Sequence, residues 1–155
     1  MSRKYTLYFD GGSRGNPGVA GCGAVLYDSD DVEVDSLYFY CGADKTNNHA
    51  EYVALLKGLM MAKEHGANFG DLTVRGDSML VIKQCKGEFK VRDRGLSILH
   101  RQIKDLVSDV TGVDFGNIAD VFSKFEHVRR EKNKRADELS NIAMDTKGTN
   151  KNFNY

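Results

Sequence analysis

The sequence predicts an α/β domain, a mixed sheet with helices packed on it. Three observations carry that prediction. The first part of the 155-residue chain alternates apolar and polar residues in three successive segments, a long apolar helical segment follows, and short strands then alternate with helices as far as residue 145. No internal repeat, low-complexity block or linker divides the chain. Residues 1–145 are therefore expected as one domain, with a polar, loose tail at 146–155.

Each element has its own signal. In residues 4–10, Tyr5, Leu7 and Phe9 alternate with Thr6, Tyr8 and Asp10, the period of a strand that Asp10 is expected to end. GGSRGNPG at 11–18 reads as a turn, and residues 20–28 and 32–41 read as two further strands around the acidic turn DSDD. Three consecutive strands make an antiparallel meander. From Asn47 to His65 the residues Val53, Ala54, Leu55, Leu56, Leu59, Met60 and Met61 predict a helix apolar nearly all round, hence buried, that ends before Gly66. LTVRGD at 72–77 reads as a strand and SMLVIKQCKG at 78–87 as a short helix. The basic connection GEFKVRDRG leads into a third helix, LSILHRQIKDLV. Residues 118–128 read as the last strand, and Asn133 is placed to cap a final helix, KRADELSNIAMD.

Composition narrows the function classes. A chain of this length buries enough surface to fold without disulfides, and Cys22, Cys41 and Cys85 have no paired spacing, so a reducing, cytoplasmic setting is expected. No apolar leader or membrane span is predicted. The 22 basic and 22 acidic residues cancel, but their placement is uneven. Residues 28–35 hold five acids and no base, whereas residues 83–104 hold seven bases against Glu88 and Asp93, and residues 124–135 six against two acids. Electrostatic binding follows local distribution, so two basic segments keep a nucleic-acid partner in view.

Four acids stand at element ends, where separate parts of a chain converge: Asp10, Glu51, Asp77 and Asp137. Each has a structural explanation. Asp10 can open an Asx-turn, Glu51 can complete a capping box with Asn48, Asp77 can cap the next helix, and Asp137 can favour a helix N-terminus. Taken together they point elsewhere, because Glu51 lies on a helix expected to be buried, and clustered carboxylates repel one another unless a cation intervenes. Oxygen ligands suit magnesium or manganese, and no His or Cys spacing suits zinc. Two such ions about 4 Å apart, sharing a carboxylate, form an apparatus for phosphodiester hydrolysis. The glycines of GGSRGNPG do not give GxGxxG, and DSDDVE lacks the glycine of a calcium loop.

In order, YFDGGSRGNPG, TNNHAEYVALLKGL, VRGDSMLVIKQ and HVRREKNKRADELSN resemble the four motifs of type 1 ribonuclease H, over residues 4–145. The resemblance implies that family's five-stranded mixed sheet, with the first three strands antiparallel, in a monomer. It implies Mg2+ as cofactor, two ions per site with Mn2+ as a substitute, and RNA–DNA hybrid as substrate, the RNA strand being cut to leave 5′-phosphate and 3′-hydroxyl ends. Asp10 would bridge the metals, Asp137 would complete the metal that activates water, and Glu51 and Asp77 would hold the other. Asn16, Asn47 and Asn48 match minor-groove and sugar contacts, Thr46 matches a phosphate contact on the DNA strand, and Gly11 and Gly12 let the backbone approach the duplex. An Asn amide can serve either half of a 2′-hydroxyl. Arg129 and Arg130 are candidate phosphate contacts. Met79 stands where many members carry a hydrogen-bonding Gln, and the chain has the short connection of the branch that lacks a basic, Trp-bearing protrusion. His127 matches the residue that ends the last strand in that branch.

Overall fold

A computed structural model describes residues 4–153. Five strands, β1 (Thr6–Arg14), β2 (Gly18–Tyr27), β3 (Glu33–Lys45), β4 (Thr73–Gly76) and β5 (Lys124–His127), form one sheet in the order β3-β2-β1-β4-β5. The first three are antiparallel; β4 joins β1, and β5 joins β4, in parallel. The helices are α1 (Asn47–Glu64), α2 (Met79–Cys85), α3 (Arg94–Thr111) and α4 (Lys134–Thr146).

Period-two alternation sends neighbouring residues of a strand to opposite faces. Ala24 of β2 meets Gly58 of α1, and Gly23 beside it meets Leu139 and Ala136 of α4, so the two helices cover opposite faces. The α1 face is a dry core in which Leu7, Phe9, Leu26, Leu37, Tyr52, Leu55 and Leu59 are fully buried. Each such side chain contributes roughly 1.5–3 kcal/mol. The α4 face uses small residues instead. A Cβ on Gly23 would stand 2.5 Å from Leu139 Cβ, so only glycine lets α4 lie this close to the sheet.

Three sequence expectations are corrected. Asp10 does not end its strand: β1 continues through Gly11, Gly12 and Ser13 to Arg14, in register with Cys22 to Val19 of β2, and only residues 15–17 turn. Residues 118–128 are not all strand, since Ile118–Val121 form a 3-10 turn that buries Ile118 and Val121 before β5 begins. Residues 149–151, expected to be loose, lie along the outer edge of β3, and Asn152 and Phe153 accept from Lys57 of α1, while 154–155 of the same tail lie outside the described residues. Asn150 N–H donates to Tyr38 O (3.1 Å), Tyr38 N–H to Asn150 Oδ1 (2.7 Å) and Tyr40 N–H to Thr149 Oγ1 (3.0 Å). These bonds satisfy edge groups that would otherwise invite another strand. No helix among the described residues is long and apolar enough to cross a membrane.

Candidate active site

The strand register gathers the acids. Because β4 is parallel to β1 with Gly76 opposite Phe9, Asp77 leaves β4 beside Asp10. Glu51, in the second turn of α1, is 7% exposed and accepts the Gly11 N–H at 2.6 Å. That approach needs glycine, since a Cβ on Gly11 would lie 2.3 Å from the Ala50 carbonyl carbon. One carboxylate oxygen from each of Asp10, Glu51 and Asp77 falls within 4.8 Å of the others. Asp137, in the first turn of α4, stands outside that group but lines the same open cleft of about 660 Å3.

For Asp10, Glu51 and Asp77 the structural alternatives fail on their hydrogen bonds, whereas Asp137 does stand in the first turn of its helix. The cap of α1 is Thr46, whose hydroxyl accepts from His49 N–H at 3.1 Å, so Glu51 completes no capping box. The cap of α2 is Ser78, not Asp77. Asp10 sits within a paired strand rather than opening a turn. Asp77 Oδ2 is buried with no hydrogen-bond partner, an arrangement that costs stability unless something outside the chain occupies it.

The electrostatics agree. Burial, then the charges of Asp77 and Asp137, raises the Asp10 carboxyl from 3.8 to about 8. Burial, then Asp10 and Asp77, pushes Glu51 well above its ordinary value, against the opposing Gly11 N–H. Among the described residues no Lys, Arg or His forms an ion pair with any of the four acids. A set of oxygen ligands with excess negative charge, one of them orphaned, fits a hard divalent cation.

Asn133 was expected only as a helix cap, and it makes no capping bond with its side chain. It is 1% exposed; Nδ2 donates to Phe9 O at 2.9 Å, and its own carbonyl accepts Asp137 N–H at 3.1 Å. It thereby ties the residue before Asp10 to the turn bearing Asp137. The sequence signal was limited to an Asn four residues before Asp137, because the partner lies 124 positions away.

The expected substrate residues are scattered around the rim. Asn16 Oδ1 accepts Asn47 N–H (3.1 Å), and Asn47 Oδ1 accepts Ser13 N–H (2.7 Å), which locks the turn after β1 to the start of α1. Gly11, Gly12 and Asn47 line the cleft, as do exposed His127, Arg129 and Arg130. Thr46 and Asn48 are exposed at the start of α1, outside the cleft lining. His127 ends β5, and Met79 is 46% exposed beside Asp77.

Comparison with known proteins gives a consistent picture. The family model described as "Reverse transcriptase-like" matches residues 8–143. Ribonuclease HI of Halobacterium salinarum is 41% identical over 142 residues, covering 89% of this chain and 63% of that protein. A bifunctional protein of Mycobacterium tuberculosis is 38% identical over 142 residues, covering 92% of this chain and 36% of its own length. The chain thus spans less than two thirds of either curated relative. Among solved structures, LC11-RNase H1 in complex with RNA/DNA hybrid superimposes with a TM-score of 0.80 at 35% identity, covering 93% of this chain and 99% of that one. Matched along nearly its whole length, this chain belongs to the type 1 ribonuclease H family.

Proposed function

We propose that this chain is a metal-dependent endoribonuclease that hydrolyses the RNA strand of RNA–DNA hybrids and leaves 5′-phosphate and 3′-hydroxyl ends. The observation that carries the reading is the convergence of Asp10, Glu51 and Asp77 oxygens within 4.8 Å, with Asp77 Oδ2 unpartnered and, among the described residues, no ion pair to any of the three. Asp10, central in charge to the others, would be shared between two Mg2+ ions. Glu51 and Asp77 would hold one, and Asp137 would complete the other. Bound there, the ions would supply a water of lowered pKa and neutralise charge on the phosphate oxygens.

The residues of the chain do the rest. Gly11 N–H fixes the Glu51 carboxylate, and Asn133 fixes the spacing between Asp10 and Asp137. The Asn16–Asn47 lock presents amide groups that can bond to a 2′-hydroxyl, a group that DNA lacks. Exposed Arg129 and Arg130 at the cleft supply charge for phosphates.

The test is cleavage of an end-labelled hybrid, with magnesium and with chelator, by the wild type and by Asp10→Asn. Magnesium-dependent cutting confined to the RNA strand and lost in the variant supports the reading. Cutting of an RNA duplex in preference would overturn the substrate, and tight binding without cutting would overturn the activity.

A further inference from the structure

On the α4 face, a second cavity of about 370 Å3 opens between β1, β2, β4 and the start of α4. The 3-10 turn Arg130–Lys132 separates it from the carboxylate cleft: Arg129, Arg130 and Glu131 line the cleft, and Lys132 and Asn133 line the second cavity. Its volume is in the range of small-molecule sites, roughly 300–1,000 Å3. None of the four carboxylates reaches it.

The lining divides by chemistry. Val25 and Ala136 are buried and apolar. Tyr8 and Tyr27 stand edge to face, ring centroids 5.7 Å apart, and the Arg75 guanidinium lies 5.7 Å from the Tyr8 ring. Arg75 donates Nε to Glu126 and an Nη1 proton to the Tyr8 hydroxyl, both at 2.9 Å, which uses two of its five N–H donors. Among the described residues, the Lys132 ammonium and the Tyr27 hydroxyl have no hydrogen-bond partner, the Lys132 N–H donating to Arg129 O. On the opposite account, Asn133 Oδ1 is a buried acceptor without a donor, its Nδ2 being held by Phe9 O. Asp31 adds an exposed acceptor.

Open donors and aromatic walls call for a ligand with an anion and a flat ring. We infer that this cavity binds a nucleoside monophosphate. Its phosphate meets Lys132 and the free Arg75 donors, and its base packs on Tyr8 and Tyr27. A bare anion leaves the Tyr8 and Tyr27 walls uncovered, and an uncharged aromatic ring leaves Lys132 unused. Asp31 accepts a ribose hydroxyl. The arrangement does not depend on the hydrolytic reading, because it shares no catalytic carboxylate.

The experiment is a 1H–15N NMR titration of the full chain in excess chelator with adenosine 5′-monophosphate, adenosine and inorganic phosphate in parallel. The nucleotide should give saturable shifts at the amides of Tyr8, Tyr27 and Ala136. Adenosine, phosphate, and the nucleotide on Lys132→Ala should each bind about tenfold more weakly, the scale of one charge-assisted contact. Tyr27→Ala should weaken the nucleotide too, and Lys132→Ala, on an exposed side chain, keeps the test valid if that variant fails to fold. The proposal is overturned by absent saturation, by shifts centred on Gly11 and Asn47, or by phosphate alone binding as tightly as the nucleotide.

Discussion

Asp10 and Asp35 are both largely buried carboxylates on strands of one sheet, yet they are moved in opposite directions. Burial works to raise Asp35, but Lys151, His65 at 2.8 Å and the Ser36 N–H outweigh it and hold the group below the ordinary carboxylate range. Burial raises Asp10 as well, and its neighbours are Asp77 and Asp137, which push it further, to about 8. At the β3 edge the chain supplies its own counter-charge; at the cleft it supplies more acid. A buried charge without a partner is destabilising. The difference therefore marks Asp35 as structural and the Asp10 cluster as a site completed from outside the chain.

The largest expected effect breaks the cluster. Asp10→Asn and Glu51→Gln should each lower steady-state hybrid cleavage by about a thousandfold or more. Glu51→Gln keeps an acceptor for Gly11 N–H, so its circular dichroism should match the wild type; a variant that lost fold instead would return Glu51 to a structural role. Next, Asn133→Ala removes the buried amide that donates to Phe9 O and ties β1 to the start of α4, and should cost about 1–3 kcal/mol in denaturant unfolding together with a fall in kcat. A lowered stability with kcat unchanged would remove its positioning role.

The comparison also predicts opposite pH behaviour. A carboxyl raised in the folded state favours folding while protonated, so the contribution from Asp10 is fully present below about pH 4 and is lost as pH rises through about 8, and Glu51, raised in the same direction, acts with the same sign. Asp35, held below its ordinary value, contributes above about pH 4 and loses that as pH falls further. Metal-free stability should therefore fall between about pH 4 and 8, and Asp10→Asn should flatten that slope. The smallest effect is expected from Lys151→Ala, about 0.5–1 kcal/mol in thermal unfolding, because the lysine is 38% exposed and screened by water.

The meander, α1 and the meeting of Asp10, Glu51 and Asp77 were legible because strand and helix periods are local properties of sequence. The continuation of β1 through GGSR was not. Two glycines in a row read as a turn, and only pairing with the small residues of β2 holds them extended. Residues 118–128 read as a mostly alternating strand, but Ile118–Val121 is taken by the local turn that buries Ile118 and Val121 against the core. The docking of residues 149–151 depends on Asn and Thr side chains reaching backbone groups of β3, which no periodicity reveals. Asn133 looked like a cap, and its bond to Phe9 O exists only once α4 has settled on the glycines of β2.

The central claim is that the Asp10 cluster lacks a counter-charge that divalent cations supply. It is tested most directly by thermal unfolding of the wild type and Asp10→Asn at pH 8, in chelator and across a Mg2+ titration. The wild type should gain stability saturably with Mg2+. Asp10→Asn should start higher in chelator, by about 1–3 kcal/mol as one of four like charges is removed, and respond little to the metal. A variant that starts lower, or that gains as much from Mg2+ as the wild type, would contradict the account.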